Sequence, residues 1–183
     1  MVDKRPDGPE KSTTGEPAGS VALRGEVRKP RLTEVVALKA LIDGAQGAVL
    51  TRELRELYEN VRDFYVFADE SGLGGCVALH IDMIDLAEVR TLVVRPDLQR
   101  RGIGRRLLDA VLNEAEGLDI ARVYAFTREP AFFASNGFRV VDRSELPYKV
   151  FKDCTRCRLF PGCDETAMVR DLRAAGGTPV EGG

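Results

Sequence analysis

Residues Gln99-Arg100-Arg101-Gly102-Ile103-Gly104-Arg105-Arg106 set two glycines among four arginines. They stand where an apolar run, Thr91-Leu92-Val93-Val94, gives way to a helical pattern. A helix start leaves backbone N–H groups without partners and carries the positive end of the dipole, so phosphate fits there. Gly102 and Gly104 have no Cβ and let a ligand approach the main chain. Arg100, Arg101 and Arg105 add charge in a forked geometry that suits phosphate oxygens. The junction therefore has the chemistry of a pyrophosphate cradle. It is not the Rossmann fingerprint, whose third glycine position holds Leu107, and it is not a P-loop, because Arg105-Arg106 follows Gly104. The bland alternative is an ordinary helix start with a solvated arginine cluster.

Three other groups have types and spacing suited to chemistry. Glu88 and Arg90 alternate along an apolar run, so they are expected on one strand face together with Leu92, with Val89, Thr91 and Val93 on the other. A buried carboxylate there can act as a base, and otherwise Glu88 is a surface strand residue. Arg52, Arg90 and, more weakly, Lys149 are cations whose chemistry suits a ligand carboxylate. The bland alternative for the arginines is solvation or a surface ion pair. Cys154, Cys157 and Cys163 form C-x2-C-x5-C, with Asp164 following. Such spacing suits a tetrahedral metal, and the expectation is a structural zinc rather than a catalytic one. The fourth ligand is open: Asp164 is adjacent to Cys163, while His80 and Cys76 share a strand face by parity. Three reduced cysteines in a loop are the alternative.

The elements that must position these groups follow from composition and period. The chain has 183 residues and a net charge of −2, enough for one domain and no global pull toward nucleic acid or anionic membrane. No apolar stretch reaches membrane-spanning length, and residues 1–20 lack the apolar core of a secretory signal, so a cytoplasmic protein is expected. Residues 1–24 and 174–183 read as disordered tails, and residues 25–173 as one domain with a cysteine-rich loop over 152–164. Within it the spacing predicts a strand at 26–28, a helix opening at Leu32 with Gly44 near its end, and a helix from Thr51 to about Val61. Strands are expected at 64–68, 75–81 and 86–94, then an amphipathic helix over 102–117. A strand at 121–126, a short helix at 130–135 and strands at 138–141 and 165–172 complete the chain. The order β-α-α-β-β-β-α-β-α-β-β implies a mixed α/β fold with a partly parallel sheet.

VVRPDLQRRGIGRRLLDAVL resembles the acetyl-CoA motif of the GNAT acyltransferases, with Gln99, Gly102 and Gly104 matching. Residues 129–138, ending in Gly137-Phe138, resemble that family's short helix and Gly-Phe. More narrowly, residues 27–42, 50–80 and 88–104 resemble amino-acid N-acetyltransferases of the N-acetylglutamate synthase type, in the short bacterial form. The resemblance implies a GNAT fold and acetyl transfer from acetyl-CoA to the α-amine of glutamate or glutamine, as in the first step of arginine synthesis. It implies that Gln99, Arg100, Arg101, Gly102, Ile103, Gly104 and Arg105 hold coenzyme A pyrophosphate. Leu92 and Val94 would pair with the pantetheine arm and Phe133 would pack on it, with Glu88 as the base. A homodimer is a common state of such proteins, with small molecules rather than nucleic acid or membrane as ligands. One departure is evident: Phe133 stands where many members carry a tyrosine that protonates the leaving thiolate. Tyr124, Tyr65 or water would take that role. The runners-up are another amine acceptor (a protein N-terminus, a lysine or a polyamine) and a non-catalytic acyl-CoA sensor.

Overall fold

The computed structural model describes residues 24–45, 49, 52–146 and 162–172. Among these residues, seven strands form one sheet: β1 (Glu26–Arg28), β2 (Phe64–Asp69), β3 (Gly72–Met83), β4 (Leu86–Val94), β5 (Arg122–Thr127), β6 (Arg139–Val140) and β7 (Thr166–Asp171). Their spatial order is β1-β2-β3-β4-β5-β7-β6. Every pairing is antiparallel except that of β4 with β5. The crossover that a parallel pair requires is α3 (Ile103–Gly117). This is the mixed, partly parallel sheet that the residue order predicts.

The helix α3 buries Ile103, Leu107, Leu108, Val111, Leu112 and Ala115, a stripe at helical spacing, on one face of the sheet. Val77, Leu79, Ala87, Val89, Val123 and Ala125 meet it there. Gly75 sits under this helix: a Cβ on it would come 2.9 Å from Val93 O and 3.0 Å from Leu107 Cδ1, so only hydrogen fits. The opposite face is covered by α1 (Val35–Gly44) and α2 (Leu54–Glu59). Val35, Leu38, Ile42 and Leu57 pack there on Phe64, Val66, Cys76, Ala78 and Val93.

Several elements are shorter than the residue pattern predicts. The first helix opens with a 3-10 turn at Leu32–Glu34 before α1 begins. The second spans only Leu54–Glu59, and Thr51 lies outside the described residues. Of its expected apolar face only Leu57 is buried. The short helix α4 (Pro130–Ser135) ends in a turn in which Gly137 has φ +84°.

One expectation is corrected by the backbone. Thr91 has φ +55°, and the β3–β4 register slips between Cys76↔Val93 and Ala78↔Arg90. One residue of β3 thus faces two of β4, which is a β-bulge. The bulge reverses the alternation. Before it, Ala87 and Val89 face α3; after it, Leu92 and Val94 do, and Val93 turns to the α1–α2 side. Glu88 and Arg90 share a face as expected, but Leu92 does not join them.

Candidate active site

The sheet opens at the middle of β4. Its parallel pairing with β5 covers only Leu86↔Arg122, Ala87↔Val123 and Glu88↔Tyr124. Beyond that point β5 continues with β7, while β4 runs on to Val94 beside β3. The edge of β4 over Val89–Val94 therefore borders a gap in the sheet.

That gap leads to the glycine–arginine junction. A single turn, Pro96–Leu98, follows β4, and Gln99 Nε2 donates to Val94 O at 3.1 Å. Arg100 and Gly102 have φ +60° and +80°, a left-handed pair that turns the chain into α3. Gly102 is suited to that conformation, and a Cβ there would be strained although it would meet nothing within 4 Å. The first intrahelical bond is Arg106 N–H to Gly102 O, 3.1 Å. The N–H groups ahead of it stand at the positive end of a 15-residue helix. Gln99, Arg100, Arg101, Gly102 and Arg105 are exposed, whereas Ile103 is buried in the core. Arg106 turns away, donating to Gly25 O and lying over the Phe67 ring.

Phe133 is 5 % exposed and packs edge-on against both Phe132 and Phe138. The ring nearest the cradle is instead half-buried Phe132, 3.5 Å from the Cβ position of Gly104.

On the α1–α2 face, a cavity of about 180 Å³ is lined by Arg52, Glu56, Leu57, Asn60, Asp63, Phe64, Ala78, His80 and Arg90. Glu88, only 4 % exposed, pairs with Arg90 at its edge: Oε2 lies 2.7 Å from Arg90 Nη2. Arg52 pairs with Glu56, and its Nε is buried without a hydrogen-bond partner among the described residues. His80, the sole histidine of the chain, stands opposite Glu88 in the β3–β4 register. Its Nδ1 is 3.2 Å from Asp63 Oδ2, and its Nε2 is 3.8 Å from Asp82 Oδ1. Tyr124 donates to the other oxygen of Asp82 at 2.5 Å.

Two arginines expected to meet a carboxylate thus line one cavity, beside the expected base. Lys149, Cys154 and Cys157 lie outside the described residues. Cys163 is half-buried, with Sγ 3.8 Å from Glu165. Among the described residues no group of three His, Cys, Asp or Glu side chains could hold a metal ion. His80 faces Asp63 and Asp82, and Cys76 lies fully buried with its thiol on Thr91 O at 3.6 Å. Burial pushes that thiol up to about 12, so it keeps its proton and suits a core position rather than a metal ligand.

Tyr124 is not free to protonate a thiolate. Burial first, and then the nearby charges of Glu88 and Asp82, push the Tyr124 hydroxyl far above its ordinary range, and its proton is committed to Asp82. Tyr65 belongs to the α3 side of the sheet, under Lys29, whose Nζ is 3.9 Å from the ring centre and 2.8 Å from Glu114. Glu56, Asn60, Asp63 and Asp82 stand in or beside this cavity without a place in the sequence reading, which names His80 only as a possible metal ligand. Four-residue spacing from Arg52 within the helix predicted over 51–61 was the available signal for Glu56 and Asn60.

Residues 60–140 match the model of the acetyltransferase (GNAT) domain. Over 151 residues the chain is 34 % identical to an uncharacterized N-acetyltransferase of Chlorobaculum tepidum, covering 80 % of this chain and 96 % of that one. It is 36 % identical over 137 residues to an amino-acid acetyltransferase of Mycobacterium tuberculosis, covering 73 % and 79 %. Among solved structures, N-acetylglutamate synthase from Neisseria gonorrhoeae, complexed with coenzyme A and N-acetyl-glutamate, superposes with a TM-score of 0.74 at 28 % identity. That match covers 82 % of this chain and 35 % of the synthase, so this chain spans about a third of it. No helix of the described residues is long and apolar enough to cross a membrane.

Proposed function

The chain belongs to the GNAT acetyltransferases, among the amino-acid acetyltransferases, and on that premise we propose that it transfers the acetyl group of acetyl-CoA to the α-amine of L-glutamate or L-glutamine. This would be the first step of arginine synthesis. The observation that carries the reading is the cavity on the α1–α2 face, where Arg52 and Arg90 sit beside Glu88 at the point where β4 and β5 part. Its size, about 180 Å³, is below the ~300 Å³ at the low end for drug-sized ligands, and suits one amino acid better than a peptide.

Backbone N–H groups at Gln99–Arg105 would hold the pyrophosphate, with Arg100, Arg101 and Arg105 screening its charge. The free edge of β4 from Leu92 to Val94 would pair with the pantetheine amides, and Phe132 and Phe133 would close the side of that channel. The thioester then lies near Glu88. The acceptor's carboxylates would bind Arg52 and Arg90, with Lys149 a further candidate, so that the amine points into the gap. Glu88, directly or through one water, takes a proton from the ammonium, and the amine attacks the thioester carbonyl. The C–S bond breaks as the nitrogen sheds its second proton to water, and the thiolate, leaving without a dedicated tyrosine, takes up one proton from water, so that the protons balance. A coenzyme A thiolate is stable enough near neutral pH to do so.

Glu56 and Asp63 give the second reading some ground, because carboxylates in the cavity would also suit a cationic acceptor such as a polyamine. Both are engaged, with Arg52 and His80 respectively, which favours the amino acid. The test is a thiol-release assay with acetyl-CoA across the twenty amino acids and a polyamine. Turnover confined to glutamate and glutamine is expected; turnover with the polyamine alone would overturn the reading. The structural zinc proposed at Cys154, Cys157 and Cys163 is tested by elemental analysis, where less than about half an equivalent counts against it.

A further inference from the structure

We propose that Glu56 is an internal stand-in for the acceptor's carboxylate: it occupies Arg52 in the empty site and must yield it when the acceptor binds. The inference rests on the amino-acid reading of the cavity and adds a residue that tunes acceptor affinity.

Four observations support it. Arg52 and Glu56 line the same cavity, and Glu56 Oε1 meets Arg52 Nη1. The Arg52 side chain is mostly buried, 19 % exposed, whereas that of Glu56 is 40 % exposed and has room to swing outward. Only part of the Arg52 fork is used: its Nε is buried and has no hydrogen-bond partner among the described residues. A carboxylate on the Nε–Nη2 edge would satisfy Nε, but it would bring a second anion beside Glu56 on one guanidinium, so the two compete for its charge. Finally, the pair is poorly placed to serve helix stability. Glu four residues before a cation is the order that helps a helix, and here the cation comes first, near the positive end of α2.

A comparison pair lies next to it, wholly within α2. Arg55 and Glu59 form a pair of the same spacing and order on the outer face, with Arg55 89 % exposed. Only the inner pair faces the cavity. Displacing Glu56 costs part of the acceptor's binding free energy, so removing its charge should improve binding. The replacement Glu56→Gln keeps the shape of the side chain and removes the competing anion.

L-Glutamate is titrated calorimetrically into the coenzyme A-loaded protein, and its KM is measured in the thiol-release assay. For Glu56→Gln both constants are expected to fall roughly ten-fold, the size of one moderate ion-pair competition. Glu59→Gln should leave both within about two-fold, since an exposed pair contributes little. Arg52→Gln combined with Glu56→Gln should lose the gain. A gain confined to glutamate assigns Arg52 to the side-chain carboxylate, and an equal gain with glutamine assigns it to the α-carboxylate; either supports competition. Weaker or unchanged binding in Glu56→Gln overturns the inference and makes Glu56 a residue that positions Arg52. Absence of glutamate binding in both proteins also overturns it. If glutamate binds but is not acetylated, the functional reading falls, while the dissociation constants still decide the role of Glu56.

Discussion

Toward α3, strands β3 and β4 present Val77, Leu79, Ala87 and Val89, all in one apolar cluster with the helix. Toward α1 and α2, the same two strands present Cys76, Ala78, His80, Glu88 and Arg90. The first face is dry and continuous. The second is apolar toward β2 and again toward β5 and β7, and between them it becomes a charged cavity where β4 leaves β5. The contrast separates two tasks on one pair of strands. A tightly packed face fixes where the strands lie. The other face can then hold buried charges, which add little net stability, at defined positions. The bulge at Thr91 joins the two: it lets β4 carry Glu88 and Arg90 on the charged side and return Leu92 and Val94 to the dry side, next to the cradle.

If this division is right, substitutions on the two faces should fail in different ways. The largest effect is expected from Glu88→Gln, which should lower kcat by ~10²–10⁴ and flatten the acidic limb of the pH–rate profile. A thermal melt accompanies it, because Arg90 keeps an amide oxygen in place of its carboxylate partner. An unchanged rate with an unchanged acidic limb would remove Glu88 from the mechanism. On the dry face, Leu107→Ala deletes a fully buried side chain and should cost about 2–5 kcal/mol in denaturant unfolding. Its residual folded fraction should keep an ordinary acceptor KM. A KM shift as large as the stability loss would mean that the faces are not separable.

A smaller effect is expected at the junction. Gly102→Glu places an L-residue at φ +80° and a negative charge in an anion cradle, and should weaken coenzyme A binding by at least ~30-fold in calorimetry. Stability should fall only by the ~1–2 kcal/mol of that backbone strain, since Gly102 is exposed and its Cβ would meet no neighbour. The smallest concerns the ion pair that ties β1 to the turn before α1. The Arg28 guanidinium, through hydrogen bonds to the carboxylate, lowers Glu34 from its ordinary 4.5 to about 2. A lowered folded-state value means that the stability contribution is complete above the ordinary value and drains as pH falls from 4.5 toward 2. Glu34→Gln should therefore cost about 1 kcal/mol at pH 7 and almost nothing near pH 2, read from unfolding midpoints. Equal losses at both pH values would contradict the assignment.

The fold was largely legible because its signals are periodic. Alternation marks β4 from Leu86 to Val94 with the bounds observed, and the stripe from Ile103 to Leu112 marks α3. The cradle was legible because it is local: its glycines and arginines are consecutive in the chain. The cavity was legible only in part. Glu88 and Arg90 are two apart on one strand and emerge together, but the bulge at Thr91 has no glycine in β4 to announce it, so strict alternation puts Leu92 on the wrong face. In the sequence His80 stands only as one open choice of fourth ligand for the cysteines, beside Cys76 and Asp164, because parity gives a side chain's face and not its neighbours. Asp63, which meets it, is 17 residues away. Glu56 carries no chemical signature at all until Arg52 is seen beside it.

The account turns on donor and acceptor meeting where β4 separates from β5, with the acceptor entering from the α1–α2 side. A crystal structure of the protein with coenzyme A and L-glutamate tests this most directly. The expected result is pyrophosphate on the N–H groups of residues 99–105, the glutamate carboxylates on Arg52 and Arg90, and the amine within hydrogen-bond reach of Glu88 or a water on it. Glutamate bound on the α3 side, or a coenzyme whose thiol ends away from Glu88, would contradict it.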